Sequence, residues 1–275
     1  MSKIKFVTDS TAYIDKSFIE KYNIDIVPLS VNFEGSVKNE GLPGEFDVFF
    51  KKLSKSSDFP TTSQPSIGAF AEVFNKAIKE NYEVIAITLS SKLSGTFNSA
   101  NAAASIVDPS KISIIDSLTA AANLKALVEK AIQLSEQGLS RQQIVDEIEE
   151  QKKHTGIRLT VATLDYLKKG GRLSTAEAMI GSLLNIKPII GLIDGKLEPL
   201  SKVRGKKKAM DKMLEDIPSN ASTIGICHIG ILDEAKEYEK MIQKRFPNAN
   251  TEIYELGPVI GSHLGLEAIG ICYLY

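Results

Sequence analysis

Val84-Ile85-Ala86-Ile87-Thr88-Leu89 runs directly into Ser90-Ser91-Lys92-Leu93-Ser94-Gly95-Thr96. An unbroken apolar run of this length is what a strand in a parallel sheet requires, because helices cover both faces of such a sheet. The hydroxyl-rich turn behind it therefore stands at the carboxyl edge of a strand. Ligands of open α/β sheets bind at that edge, where helix N-termini and free backbone N–H groups converge. A second segment, Thr61-Thr62-Ser63-Gln64-Pro65-Ser66, has the same chemistry and reads as a turn before a helix. Hydroxyls so placed suit an anionic headgroup, although their commonest work is to cap helices and shape turns.

Working outward, Ile4 to Thr8 reads as a first buried strand, with Asp9-Ser10-Thr11-Ala12 as the turn and cap after it. A helix from about Asp15 to Tyr22 leads to an extended Ile24 to Val31, then a polar, glycine-containing stretch over 34–45. Helices are expected at Glu45 to Leu53, Ile67 to Glu80, Asn98 to Ile106 and Thr119 to Gln137, with a strand at Ile112 to Ile115. This alternation predicts a mostly parallel sheet with helices on both faces. Ser140, with Gln143 three residues on, announces a helix to His154 by the spacing of a capping box.

Near residue 158 the pattern changes. Arg158 to Thr163 reads as a strand, and Asp165 to Arg172 as a short helix ended by glycine. Leu183 to Leu192 and Lys196 to Leu200 flank Asp194-Gly195, a favoured hairpin turn. Thr251 to Leu256 reads as a strand and Gly257 to Gly265 as a glycine-dense turn. The expected architecture is two α/β domains, residues 1–157 and 158–275, the second with a mixed sheet and a ligand cleft between them.

Composition narrows the function. With 33 Lys and Arg against 34 Asp and Glu in 275 residues, no global field draws nucleic acid or an anionic membrane. Cys227 and Cys272 lie in apolar runs and read as buried free thiols. His154, His228 and His263 are too scattered to hold a metal. The start, Met1 to Phe6, lacks a signal-peptide apolar segment and no run reaches transmembrane length, so the cytoplasm is the expected location. Walker A, dinucleotide-binding, nucleophile-elbow and His-Glu-x-x-His signatures are missing. His263 sits where glycines let the backbone approach a ligand, with a structural histidine as the alternative. Lys202-Val203-Arg204-Gly205-Lys206-Lys207-Lys208 is the dense basic run: a solvated helix face, or a docking patch for an acidic partner.

Thr8-Asp9-Ser10-Thr11, the Thr61 and Ser94 segments, Lys169-Gly170-Gly171-Arg172-Leu173, Leu184-Asn185-Ile186-Lys187-Pro188 and Gly257 to Gly265 occur in the order that resembles the DegV family of bacterial fatty-acid-binding proteins. The resemblance spans almost the whole chain. It implies two α/β domains enclosing a long-chain fatty acid, and a role as acyl-carrying subunit of a fatty acid kinase whose separate ATP-dependent subunit phosphorylates the carboxylate. It assigns ligand contacts to Thr61 or Thr62 with Ser63, to Ser94 with Gly95, to His263 and to Arg172. Arg204, Lys206, Lys207 and Lys208 fall on the partner-docking side. No catalytic residue, metal or cofactor is implied beyond the bound fatty acid, and no nucleic acid; transient membrane contact fits the loading step. One departure is Gly265-Leu266-Glu267-Ala268-Ile269-Gly270, where Glu267 would bring a negative charge to the headgroup if it faced inward.

The physics of such a ligand agrees. Burying a methylene gains roughly 0.8 kcal/mol, so about fifteen of them offer on the order of 12 kcal/mol before ordering costs. The headgroup then needs orientation more than affinity, and neutral hydroxyls orient a carboxylate without an ion pair that would blunt its nucleophilicity. The rival reading is a self-contained serine hydrolase using Ser94 with His263. A nucleic-acid binder using Lys202 to Lys208 is a further rival.

Overall fold

The computed structural model describes residues 3–173 and 186–275. The strands are β1 (Lys3–Asp9), β2 (Asp25–Val27), β3 (Ser30–Phe33), β4 (Ser36–Asn39), β5 (Thr61–Ser63), β6 (Tyr82–Thr88) and β7 (Ile112–Asp116), then β8 (Thr155–Thr160), β9 (Ile186–Ile193), β10 (Lys196–Arg204), β11 (Thr223–His228), β12 (Asn250–Glu255) and β13 (Ile269–Leu274). The helices are α1 (Lys16–Tyr22), α2 (Asp47–Leu53), α3 (Ile67–Lys79), α4 (Thr96–Val107), α5 (Ala121–Glu136), α6 (Arg141–Gln151), α7 (Asp165–Lys169), α8 (Lys206–Glu215), α9 (Leu232–Arg245) and α10 (Pro258–Leu264).

β6 explains the first sheet, which runs β2-β1-β6-β7 with every pairing parallel. Val84 and Ala86 pack with Phe70 and Phe74 of α3 and Ala100 and Ala103 of α4. Ile85 and Ile87, pointing the other way by the period-two alternation of a strand, join Leu124 and Leu127 of α5 and Ile144 and Ile148 of α6. Both faces are thus covered, as a continuous apolar strand demands. A second sheet runs β10-β9-β8-β13-β11-β12; β11 and β12 are parallel and the other pairings antiparallel. Its first strand in sequence, β8, begins at Thr155 and spans residue 157. A small antiparallel sheet, β4-β3-β5, completes the architecture.

α5 joins the two larger sheets. It packs on β1 and β6 from one side and on β11 and β13 from the other. One core accordingly runs from Phe6 and Ile85 through Leu124 to Ile157 and Cys272. Gly225 of β11 permits the close approach, since a Cβ there would stand 2.7 Å from that of Ala122. The buried Lys125 of α5 bridges Asp15 at 3.3 Å and Glu252 at 3.2 Å, one carboxylate from each half of the chain.

Three local expectations are corrected. Ile24 to Val31 is not one strand: Pro28 offers no N–H to a ladder, so β2 stays in the first sheet and β3 crosses to the small one. The Thr61 segment is a strand because its backbone pairs with β3, an interaction invisible to local propensity. Gly257 to Gly265 is mainly helix; Pro258 takes the first helical position, where its missing N–H costs nothing, and Gly265 ends the helix at φ 74°. The Ser140–Gln143 capping box forms, and Asp194 and Gly195 take φ 47° and 79° in the hairpin turn between β9 and β10. Leu183, Leu184 and Asn185 of the anticipated hairpin lie outside the described residues. Among the described residues no helix is long and apolar enough to cross a membrane.

Candidate functional site

A cavity of about 850 Å³, mouth included, lies between the carboxyl edge of the first sheet and one face of the second. Ile157, Leu159, Leu192, Cys227, Gly270 and Cys272 form its floor. They sit at alternate or paired positions on β8, β9, β11 and β13, so they share a sheet face. Leu29, Leu89 and Leu93 close it from the strand ends of the first sheet, and Val259, Ile260 and Leu264 of α10 form a third wall.

Four polar residues, Thr62, Ser94, Arg172 and His263, line the same cavity. Contacts chain them together. Thr62 Oγ1 and His263 Nε2 are 2.8 Å apart. His263 Nδ1 lies against Gly170, where a Cβ would approach it to 2.3 Å. The Arg172 guanidinium is tied to the Gly170 carbonyl and donates from Nε to the Leu93 carbonyl at 3.2 Å, one residue before Ser94. Ser94 Oγ is 2.9 Å from Thr96 Oγ1 and accepts the Thr96 N–H at 3.3 Å, shaping the entry to α4. The cavity lining is therefore mostly apolar, with its polar side chains in one connected cluster.

Burial, helped by the nearby Arg172 charge, pushes the His263 imidazole down to about 4, so the ring is neutral at physiological pH. Among the described residues its buried Nδ1 has no hydrogen-bond partner. An N–H there would be an orphaned buried donor, the costlier kind of defect. The proton therefore belongs on Nε2, which donates to Thr62 Oγ1. The Thr62 hydroxyl is then left with its own proton to offer another acceptor. Burial also lowers Arg172 from the usual guanidinium range.

The other sequence-derived candidates fall elsewhere. Thr61 and Ser63 point away from the cavity, as neighbours of Thr62 on a strand must, and are exposed. Gly95 does not line the cavity but lets the two hydroxyl-bearing segments meet: a Cβ there would lie 2.1 Å from Gln64 Oε1. Ser94 and His263 do not hydrogen-bond to each other; each is engaged by a threonine, and among the described residues no carboxylate partners the imidazole. Glu267 turns outward, its carboxylate half-exposed and 3.8 Å from Lys206, so it brings no charge to the cavity. Arg204, Lys206, Lys207 and Lys208 are exposed at the far end of β10 from the Asp194–Gly195 tip, and Lys206 pairs with Glu234 at 2.9 Å. Among the described residues no group of three or more His, Cys, Asp or Glu side chains is placed to hold a metal.

Sequence reading missed several contributors. The carbonyls of Leu93 and Gly170 carry no side-chain signal. The thiols of Cys227 and Cys272 were expected to be buried, and they are, 3.6 Å apart; their place in the cavity wall depends on strand register. Ser90 Oγ donates to the Gly195 carbonyl at 2.8 Å, docking the hairpin tip on the turn that leads to Ser94.

These features define an α/β protein of two larger sheets and one small one, with an internal amphipathic chamber. A family model described as an uncharacterised protein of the DegV family matches residues 3–275, and the chain belongs to the DegV family. A DegV domain-containing protein of Halalkalibacterium halodurans is 38% identical over 279 residues, covering 99% of each chain. The crystal structure of DegV, a fatty acid binding protein from Bacillus subtilis, matches with TM-score 0.90 and 35% identity over the whole of both chains. A Thermotoga maritima protein whose structure is described as revealing fatty acid binding function matches with TM-score 0.88 and 31% identity, again over both chains entire.

Proposed function

We propose that this chain binds a long-chain fatty acid, with the acyl tail in the cavity and the carboxylate at Thr62, Ser94, His263 and Arg172. The observation that carries this reading is the joining of an apolar chamber to one polar cluster whose imidazole is neutral. The fatty acid binding described for the Bacillus subtilis and Thermotoga maritima relatives supports it. The Thr62 hydroxyl, its oxygen held by His263 Nε2–H, is the free donor for one carboxylate oxygen. Ser94 stands across the cluster as the second hydroxyl. Arg172 supplies positive charge to the cluster: two of its N–H groups hold the Leu93 and Gly170 carbonyls, and the others are left for a carboxylate oxygen.

The finer reading is that the chain presents this carboxylate to a separate ATP-dependent kinase subunit, in the cytoplasm where ATP is available. A carboxylate oxygen would attack the γ-phosphorus, and ADP would leave on the partner, which carries the metal and nucleotide. Arg204, Lys206, Lys207 and Lys208 are the candidate docking charges, Lys206 already paired with Glu234. Residues 1–157 and 158–275 are the proposed units on either side of the ligand. The deciding experiment is mass spectrometry of an organic extract of the purified protein. One fatty acid per chain supports the reading; extract without stoichiometric lipid, together with no uptake of added palmitate, would overturn it.

A further inference from the structure

Glu40 follows β4 in the polar stretch that the sequence left featureless, and it is 6% exposed. Ser10 Oγ donates to its Oε2 at 2.6 Å, and the Val259 N–H donates to its Oε1 at 2.7 Å. Its own N–H donates to the Leu29 carbonyl at 2.8 Å, while the Leu29 N–H donates to Ser10 Oγ at 3.2 Å. One carboxylate thus ties the end of β1 and the approach to β3 to α10.

Val259 is the second residue of α10, whose N-cap residue, Gly257, has no side chain to satisfy the first-turn N–H groups. A larger residue at 257 would not fit, since a Cβ there would stand 2.5 Å from Glu40 Oε1. Glu40 takes over the cap from a distant part of the chain. α10 in turn presents Val259, Ile260, His263 and Leu264 to the cavity, while Gly261 lies against Phe50 on its other side. A small rotation of so short a helix would carry His263 off Thr62.

We propose that Glu40 is a positioning residue that fixes the seat of α10 and, through it, the His263–Thr62 pair at the polar end of the cavity. This rests on the reading of that end as a carboxylate site, but its first test needs no ligand. The groups facing Glu40 are Asp9, Ser10, Tyr13 and the Val259 N–H. Burial, with the Asp9 charge beside it, pushes the Glu40 carboxyl up to about 7 against Ser10, the Val259 N–H and Tyr13, which hold it down. What the Val259 N–H meets is an acceptor oxygen at the Oε1 position, and glutamine can place one there.

The test is the His263 imidazole signal in NMR of the full chain, lipid-free, titrated from pH 3 to pH 8 for the parent, Glu40→Gln, Glu40→Leu and a control, Ile242→Ala, in the separate core under α9. Glu40→Leu is expected to raise the His263 midpoint by about one pH unit as the ring gains water. Glu40→Gln and the control are expected to stay at the parent value. If Glu40→Leu does not fold, Ser10→Ala, which removes one donor, is expected to raise the midpoint by about 0.3 unit. A midpoint equal to the parent's in folded Glu40→Leu, or in Ser10→Ala where the first cannot be made, overturns the proposal. So does an equal shift in the control. Palmitate titration separates the two readings: Glu40→Leu should weaken binding about tenfold and Glu40→Gln less than about twofold. A parent that binds no palmitate would sink the ligand assignment while leaving the imidazole result to judge Glu40.

Discussion

His263 Nε2 lies 2.8 Å from Thr62 Oγ1, across 201 positions of sequence. The contact joins α10 to β5, two elements whose segments both read as turns in the sequence, and it makes the histidine a support for the hydroxyl rather than a base for Ser94.

Thr62→Val keeps the shape of the side chain and removes its hydroxyl. Palmitate affinity should fall by about 1.5 to 3 kcal/mol, the value of a hydrogen bond to a charged group. Affinity for the corresponding primary alcohol should change less. Thr61→Val and Ser63→Ala, on the exposed face of β5, should bind as the parent does. Calorimetric titration of all three distinguishes these positions.

Ser94→Ala should affect headgroup placement more than tail burial. A loss of about 1 to 3 kcal/mol in carboxylate positioning is expected, with acyl phosphate formation by an added kinase subunit reduced further than binding. Turnover equal to the parent's would remove Ser94 from the site.

His263 should give a stability slope of definite sign. Its folded-state value of about 4 is below the ordinary 6.5, so between these pH values the unfolded chain holds a proton that the folded chain does not. Its contribution is present in full above pH 6.5, declines as the pH falls toward about 4, and levels off below that. Chemical denaturation of parent and His263→Gln at intervals from pH 4 to 7 should show the parent's slope reduced in the variant.

Neutralising Arg204, Lys206, Lys207 and Lys208 should slow association with a kinase subunit at low salt and leave palmitate affinity intact. Exposed rim charges act on encounter rate, and added salt screens them. Stopped-flow association at two ionic strengths checks this; kinetics unchanged at low salt would rule out the strip as a docking surface.

Several parts of the fold were legible because their causes are local. The buried run Val84 to Leu89, the Ser140–Gln143 capping box and the Asp194-Gly195 turn each carry their instruction within a few residues. Thr62, Ser94 and His263 were visible as candidates because hydroxyl and imidazole groups near strand ends are chemically conspicuous. The strand character of Thr61 to Ser63 was not visible, since it comes from pairing with β3 about thirty residues earlier.

By itself the sequence determined an α/β chain with a parallel first sheet, a mixed second part and hydroxyl-bearing segments at sheet ends. Periodicity, caps and turn residues act within one element, so they are written where they work. Tertiary structure alone decided which hydroxyl faces the cavity, what His263 touches, that Glu267 turns to Lys206, and that Glu40 caps a helix 219 positions away. Strand alternation selects Thr62 over its neighbours only once β5 has a partner, and an orphaned helix N–H finds its acceptor only when the two ends of the chain are packed together.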